Sequence, residues 1–209
     1  MAALALVNSQ LAAAMGGMVW MAIDVARYGK ASALGFASGF VAGLATVTPA
    51  SGFVGPMAAL GIGAAAGLAC YGAVLLKGKL GYDDSLDAFG VHGVGGALGS
   101  LLLGLFARKV WNSGGADGLF AGNAAFFGKQ LLAVGVSIGY AVGGTFVLLK
   151  VVNALVGLRV SAEEEHDGLD IHLHGEEAYN VGVSSQGRSE IFGQAESVPS
   201  FAKRPEPAA

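Results

Sequence analysis

One residue carries most of the chemistry this sequence can offer. His92 stands in Asp87-Ala-Phe-Gly-Val-His92-Gly-Val-Gly-Gly, inside a run without charge from 88 to 107, and it is the only histidine before residue 166. An ionisable side chain in such a setting is costly in a membrane and is a functional candidate by default. A neutral imidazole offers one donor and one acceptor. That suits it to hand a small hydrogen-bonding solute, or a proton, along an apolar passage; the competing reading is a histidine satisfied between packed helices. Asp87 lies five residues earlier, about 7.5 Å along a helix. It either lines a cavity at the mouth of that passage or caps the helix that begins beside it, where an acid is favoured. Capping is the preferred reading.

The remaining polar residues point to no chemistry. Cys70 is the sole cysteine and sits among apolar residues, as a small packing side chain does. His166, His172 and His174 lie among acids without ligand spacing, so no metal site and no cofactor are expected, and a membrane metalloenzyme is rejected. Gly93-Val-Gly95-Gly-Ala-Leu-Gly99 follows no strand, which excludes a dinucleotide loop. With no nucleophile–base pair and no phosphate loop, the chain reads as a non-enzyme.

The elements that must position His92 follow from charge and hydropathy. The 209 residues are 54% hydrophobic and 13% charged, with a mean hydropathy of +0.60. That charged share is roughly half of the ~25% in a soluble domain. Residues 1–157 have a net charge of +3 and residues 158–209 of −6. An all-α, lipid-embedded bundle followed by a mostly irregular acidic tail is therefore expected, and nucleic acid is excluded as a partner by the lack of a basic stripe. A span needs about 20 apolar residues. The uncharged stretch 31–76 is too long for one span, and Thr48-Pro49-Ala50-Ser51-Gly52 divides it. Five spanning helices are predicted at about 1–26, 31–47, 56–76, 86–107 and 125–156, with 181–209 expected to be disordered. Glycines recur four apart at 35/39/43, 63/67, 95/99 and 135/139/143, a spacing that gives each helix a smooth stripe for close packing in lipid.

Asp87-Ala-Phe-Gly-Val-His92-Gly-Val-Gly-Gly resembles the tenth-helix signature of the ammonium transporter (Amt/Mep/Rh) family. Ala5-Leu-Val-Asn8-Ser-Gln10 is similar to its seventh helix, and Ala42-Gly-Leu-Ala-Thr-Val-Thr48-Pro49-Ala-Ser-Gly52 to its eighth helix and exit. Gly157-Leu-Arg159-Val, Gly168-Leu-Asp170 and His174-Gly175-Glu176-Glu177-Ala-Tyr179 resemble its cytoplasmic tail. The resemblance covers about residues 1–180 and helices seven to eleven of an eleven-helix fold built from two inverted halves of five and a final helix. It implies a truncated chain that lacks the first pore histidine and both stacked phenylalanines.

The resemblance makes His92 the second of two paired pore histidines, with Phe89 and Val91 as weaker pore-lining candidates. It places Thr48, with Pro49, at the end of the eighth helix. It implies ammonium/ammonia transport in the inner membrane of a multi-pass protein, a homotrimer or assembly with full-length subunits, and a PII signal protein at the cytoplasmic face. Moving a dehydrated ammonium ion into an apolar pore is very costly. The implied mechanism binds the cation outside, separates its proton and passes neutral ammonia along imidazole. The alternative is a non-transporting membrane interaction subunit or an inactive fragment.

Orientation follows from Lys/Arg bias. Arg27, Lys30, Lys77, Lys79, Lys150 and Arg159 fall on the side of the C-terminus, against Arg108, Lys109 and Lys129 on the other. A cytoplasmic tail is the expected outcome: a green fluorescent protein fused after Ala209 fluoresces in cells, and alkaline phosphatase fused there is inactive. The opposite pattern refutes this orientation.

Overall fold

The computed structural model describes residues 1–175, and among these there is no strand. The part of the family resemblance on 176–179 and the disorder expected over 181–209 lie outside the described residues. The chain divides into two compact units, Met1–Phe146 and a second that begins at Val147.

The first unit opens with α1 (Ala2–Tyr28), closed by Gly29 in the left-handed region at φ 75°. That conformation frees the Gly29 N–H to bond back to the Val25 carbonyl at 2.9 Å, a common helix stop. Helix α2 (Ala33–Val47) begins at Ser32, whose hydroxyl accepts from the Gly35 N–H at 2.8 Å. It ends where Pro49 removes a donor, with the Thr48 hydroxyl donating to the Leu44 carbonyl at 2.6 Å. Helix α3 (Pro56–Leu80) carries Pro56 in its first turn, where the missing N–H is harmless, and Lys77 and Lys79 in its last, where cations suit the dipole. A π-helical turn (Phe89–Gly93) runs directly into α4 (Val94–Phe106). A short 3₁₀ turn (Leu119–Ala121) precedes α5 (Ala124–Leu155).

Four of these segments are long and apolar enough to cross a membrane: Ala2–Tyr28, Pro56–Leu80, Phe89–Phe106 and Ala124–Leu155. The fifth expected span is α2, which has 15 residues. That is ~22 Å at 1.5 Å per residue, short of a ~30 Å hydrocarbon core. Its shortness follows from the hydrogen-bonded turns across Val47–Phe53. Asn8, fully buried on α1, ties those turns down by donating to the Ser51 and Val54 carbonyls at 2.7 and 2.8 Å.

Helices α1 to α4 meet through backbone rather than through large side chains. A Cβ added at Gly43 or at Gly63 would run into the Ala12 carbonyl, and one at Gly99 into the Thr46 carbonyl. Two apolar clusters flank these contacts. One holds Ala12, Val47, Ala50, Val54, Ala59 and Ile62; the other holds Trp20, Ala42, Cys70, Tyr71 and Val91. The fourth glycine stripe behaves differently. Gly135, Gly139 and Gly143 on α5 have no neighbour within reach, and no α5 residue is buried.

The second unit contains a feature missed by the expectation of an irregular tail. Residues Ala162–Asp167 form a short helix, α6. Ser161 and Glu164 make a reciprocal capping box: the Ser161 N–H and hydroxyl donate to Glu164 Oε2 at 2.8 and 2.9 Å, and the Glu164 N–H donates to Ser161 Oγ at 3.2 Å. The Ser-x-x-Glu spacing was a legible signal for it. These bonds, the backbone one first, hold the Glu164 carboxyl below its ordinary range.

Two outcomes are expected. Gly43→Val or Gly63→Leu destabilises the protein in detergent unfolding by about 1–3 kcal/mol, whereas Gly139→Leu leaves it within ~0.5 kcal/mol of wild type. A lowered carboxyl pKa contributes stability that is present above the ordinary carboxylate range and lost as pH falls through the lowered value. The Ser161 and Glu164 amide NMR shifts therefore stay constant at neutral pH and titrate below the ordinary carboxylate range, and Ser161→Ala, which removes the hydroxyl but keeps the backbone N–H, moves that titration part of the way back.

Candidate functional site

The turn that carries His92 is held at its start by two carboxylates of the preceding loop and by a lysine of α3. At its start, the Asp84 carboxylate accepts the Ala88 N–H at 2.9 Å and the Phe89 N–H at 3.0 Å. These donors have no partner within the helix, so a carboxylate there satisfies them and complements the dipole. Capping was expected of Asp87, but Asp84 does it, because a helix N-terminus that begins at Ala88 aims its free N–H groups at the residue four places back.

Asp87 has a different place. Its backbone is left-handed, φ 55°, the one non-glycine residue in that region among those described. Aspartate is among the few side chains that tolerate this conformation. Its carboxylate pairs with Lys77 Nζ, from the last turn of α3, and both side chains are half-buried. Lys77 Nζ also donates to the Asp84 carbonyl at 2.7 Å, and the Asp87 carbonyl accepts the Val91 N–H at 2.9 Å. The turn then takes the wider π register, with the Val94 N–H reaching back five residues to the Phe89 carbonyl. Such one-turn π segments are frequent at functional sites.

His92 emerges from this turn exposed, on the wall of a groove of about 330 Å³. Gly93, Gly96, Ala97 and Ser100 continue the wall along α4, and Gln130 and Ser137 of α5 face it. The groove is wide because the α4 side is built of small residues. It is partly polar because Ser100, Gln130 and Ser137 punctuate it; sequence reading passed over all three, although uncharged polar residues within apolar helices were the available signal. Lys77 and Asp84 were missed for another reason: nothing in their spacing announces which group they meet.

The other expected site residues are dispersed. Phe89 is 60% exposed and stacks edge-on against Tyr82, centroids 6.0 Å apart, beside a separate cavity of about 510 Å³. Val91 points inward: it is 5% exposed, packs with Trp20, Ala42, Cys70 and Tyr71, and its carbonyl faces the Cys70 thiol at 3.8 Å. It does not line the groove, because adjacent residues on a helical turn face about 100° apart. Thr48 closes α2 through its bond to Leu44 and is not on the groove wall. Among the described residues, no three His, Cys, Asp or Glu side chains gather in a way that could hold a metal ion.

Comparison with known proteins identifies the family. A family model described as the Ammonium Transporter Family matches residues 1–179. An ammonium transporter of Bacillus subtilis (strain 168) is 46% identical over 176 residues, covering 84% of this chain and 44% of the relative. Ammonium transporter Amt1 of Archaeoglobus fulgidus is 45% identical over 175 residues, again covering 84% and 44%. The crystal structure of Saccharomyces cerevisiae Mep2 superimposes with a TM-score of 0.73 at 38% identity, covering 78% of this chain and 38% of that one. The chain thus spans less than half the length of these relatives. The helical order, the His92 turn and the match over residues 1–179 lead to one conclusion: the chain belongs to the Ammonium Transporter Family.

Proposed function

We propose that this chain contributes to ammonium transport across a membrane, with His92 as a stepping point for neutral ammonia. The observation that carries the reading is the His92 imidazole itself, held by an irregular turn on the wall of a groove between apolar helices. Ammonia accepts one hydrogen bond and donates others, so a neutral ring matches it at either nitrogen. The bare cation is excluded by its desolvation cost in an apolar setting. The same proposal carries the family's threefold assembly, a cytoplasmic tail facing a PII signal protein, and a place in the inner membrane. Phe89, beside a cavity of its own at the same turn, is assigned to the approach to the passage. Asp87 is assigned to its mouth, and Thr48 to shaping the end of α2.

A second reading is favoured by the exposure of His92 along an open groove. Under it, the chain is a non-transporting membrane subunit that serves by interaction.

Reconstitution into liposomes separates the two. Under the transport reading, vesicles holding this chain take up methylammonium above empty vesicles. His92→Ala then lowers that uptake by about tenfold or more, a barrier change of ~1.4 kcal/mol, without loss of assembly. Uptake no greater than in empty vesicles supports the interaction reading, and normal selective uptake by His92→Ala removes the residue from the path.

A further inference from the structure

We propose that Lys77 and Asp87 form a positioning pair for the His92 ring, an inference that rests on the reading of His92 as a pore residue. Three observations converge on it. First, Asp87 adopts a backbone conformation that most side chains avoid, φ 55°, at the residue where the loop from α3 becomes the turn. Such a conformation persists only where the surroundings enforce it, and it clusters at functional sites. Second, what enforces it is a charge from another helix. Lys77 Nζ holds the Asp87 carboxylate and, with a second N–H, the Asp84 carbonyl at 2.7 Å. Third, the consequence passes directly to the ring. The Asp87 carbonyl receives the Val91 N–H, the residue before His92, and the following bond runs in π register from Val94 to Phe89.

A π turn takes one residue more than an α turn and gives poorer geometry, so it relaxes unless its ends are pinned. Here α4 pins the far end through close packing at Gly95 and Gly99. The near end depends on Asp84 and on the Lys77–Asp87 pair. If the near end is freed, the turn relaxes toward α register, and the residues ahead of α4 rotate by as much as about 100°. His92 then leaves the groove wall. Asp87 suits this post because it combines tolerance of the left-handed region with a carboxylate short enough to reach the lysine. Lys77 and Asp87 touch no substrate in this scheme; they act through the orientation of the ring.

The test uses the full chain in vesicles of phosphatidylethanolamine and phosphatidylglycerol, labelled with ¹³C,¹⁵N-histidine and observed by solid-state NMR. The His92 signals are assigned by their loss in His92→Gln. Wild type is expected to give one sharp set. Lys77→Met and Asp87→Asn each split or broaden it, the double variant does so no further, and Lys77→Arg restores it. Asp87→Gly removes the carboxylate while easing the backbone, so it folds readily and is also expected to disorder the ring. Lys79→Met, two residues further on, about 200° round the helix from Lys77 and exposed, keeps the wild-type set. A wild-type His92 spectrum in Asp87→Gly, or in both charge-neutralised variants, overturns the proposal. Where uptake is measured, neutralising either partner lowers the maximal rate and leaves the half-saturation concentration unchanged. Uptake that ignores His92→Ala defeats the pore reading alone, whereas an undisturbed ring in the pair variants defeats the positioning role alone.

Discussion

The contact of bare backbone at Ala12 is the constraint on which the rest of the structure depends. Its carbonyl lies where both Gly43 of α2 and Gly63 of α3 would carry a Cβ, so three helices close on one atom. In hydrocarbon, apolar side chains gain nothing by leaving lipid for each other. Association then rests on dispersion between surfaces that fit, and on polar groups that find partners. Glycine permits the first by removing the side chain that would hold the helices apart. Asn8 supplies the second by satisfying two carbonyls of the α2–α3 connection, which would otherwise be unpaired at depth.

From this seam the position of α4 follows. Gly95 and Gly99 bring it against Thr46, and the buried Val91 anchors the turn before it among Trp20, Cys70 and Tyr71. The His92 turn is therefore built on closely packed helices, while the ring itself is exposed on the groove wall. This division between a fixed inner face and an open outer one is what the role proposed for His92 requires. The anchor sets the position of the ring without filling the space beside it.

Charge does its work near the ends of α1 and α3. Lys77 lies in the last turn of α3 and Asp84 and Asp87 in the loop that follows, where water is near and an ion pair is affordable. Within the spans, the polar residues are uncharged or, as with Asp24, close to an end. Asp24 is 6% exposed and accepts from the Ser32 hydroxyl that also caps α2. One carboxylate and one serine thus fix how α1 hands over to α2. The capping box of α6 uses the same local chemistry on a segment whose charge keeps it in water.

The sequence by itself determined what depends on a residue and its near neighbours. The lack of charge over long runs requires lipid, the Thr48-Pro49 break divides 31–76, and His92 stands out because nothing else like it occurs before residue 166. Only the tertiary structure decided matters of contact between distant segments. Four glycine stripes look alike in the chain, yet those of α2, α3 and α4 are engaged and that of α5 is not. Asp87 was the expected cap, yet it is the Asp84 carboxylate that meets the Ala88 and Phe89 N–H groups, while that of Asp87 meets Lys77. The π register that turns Val91 inward and His92 outward has no signature in one dimension. It is a strained local state whose cost is met by partners ten residues and a helix away, and a linear pattern does not record who those partners are.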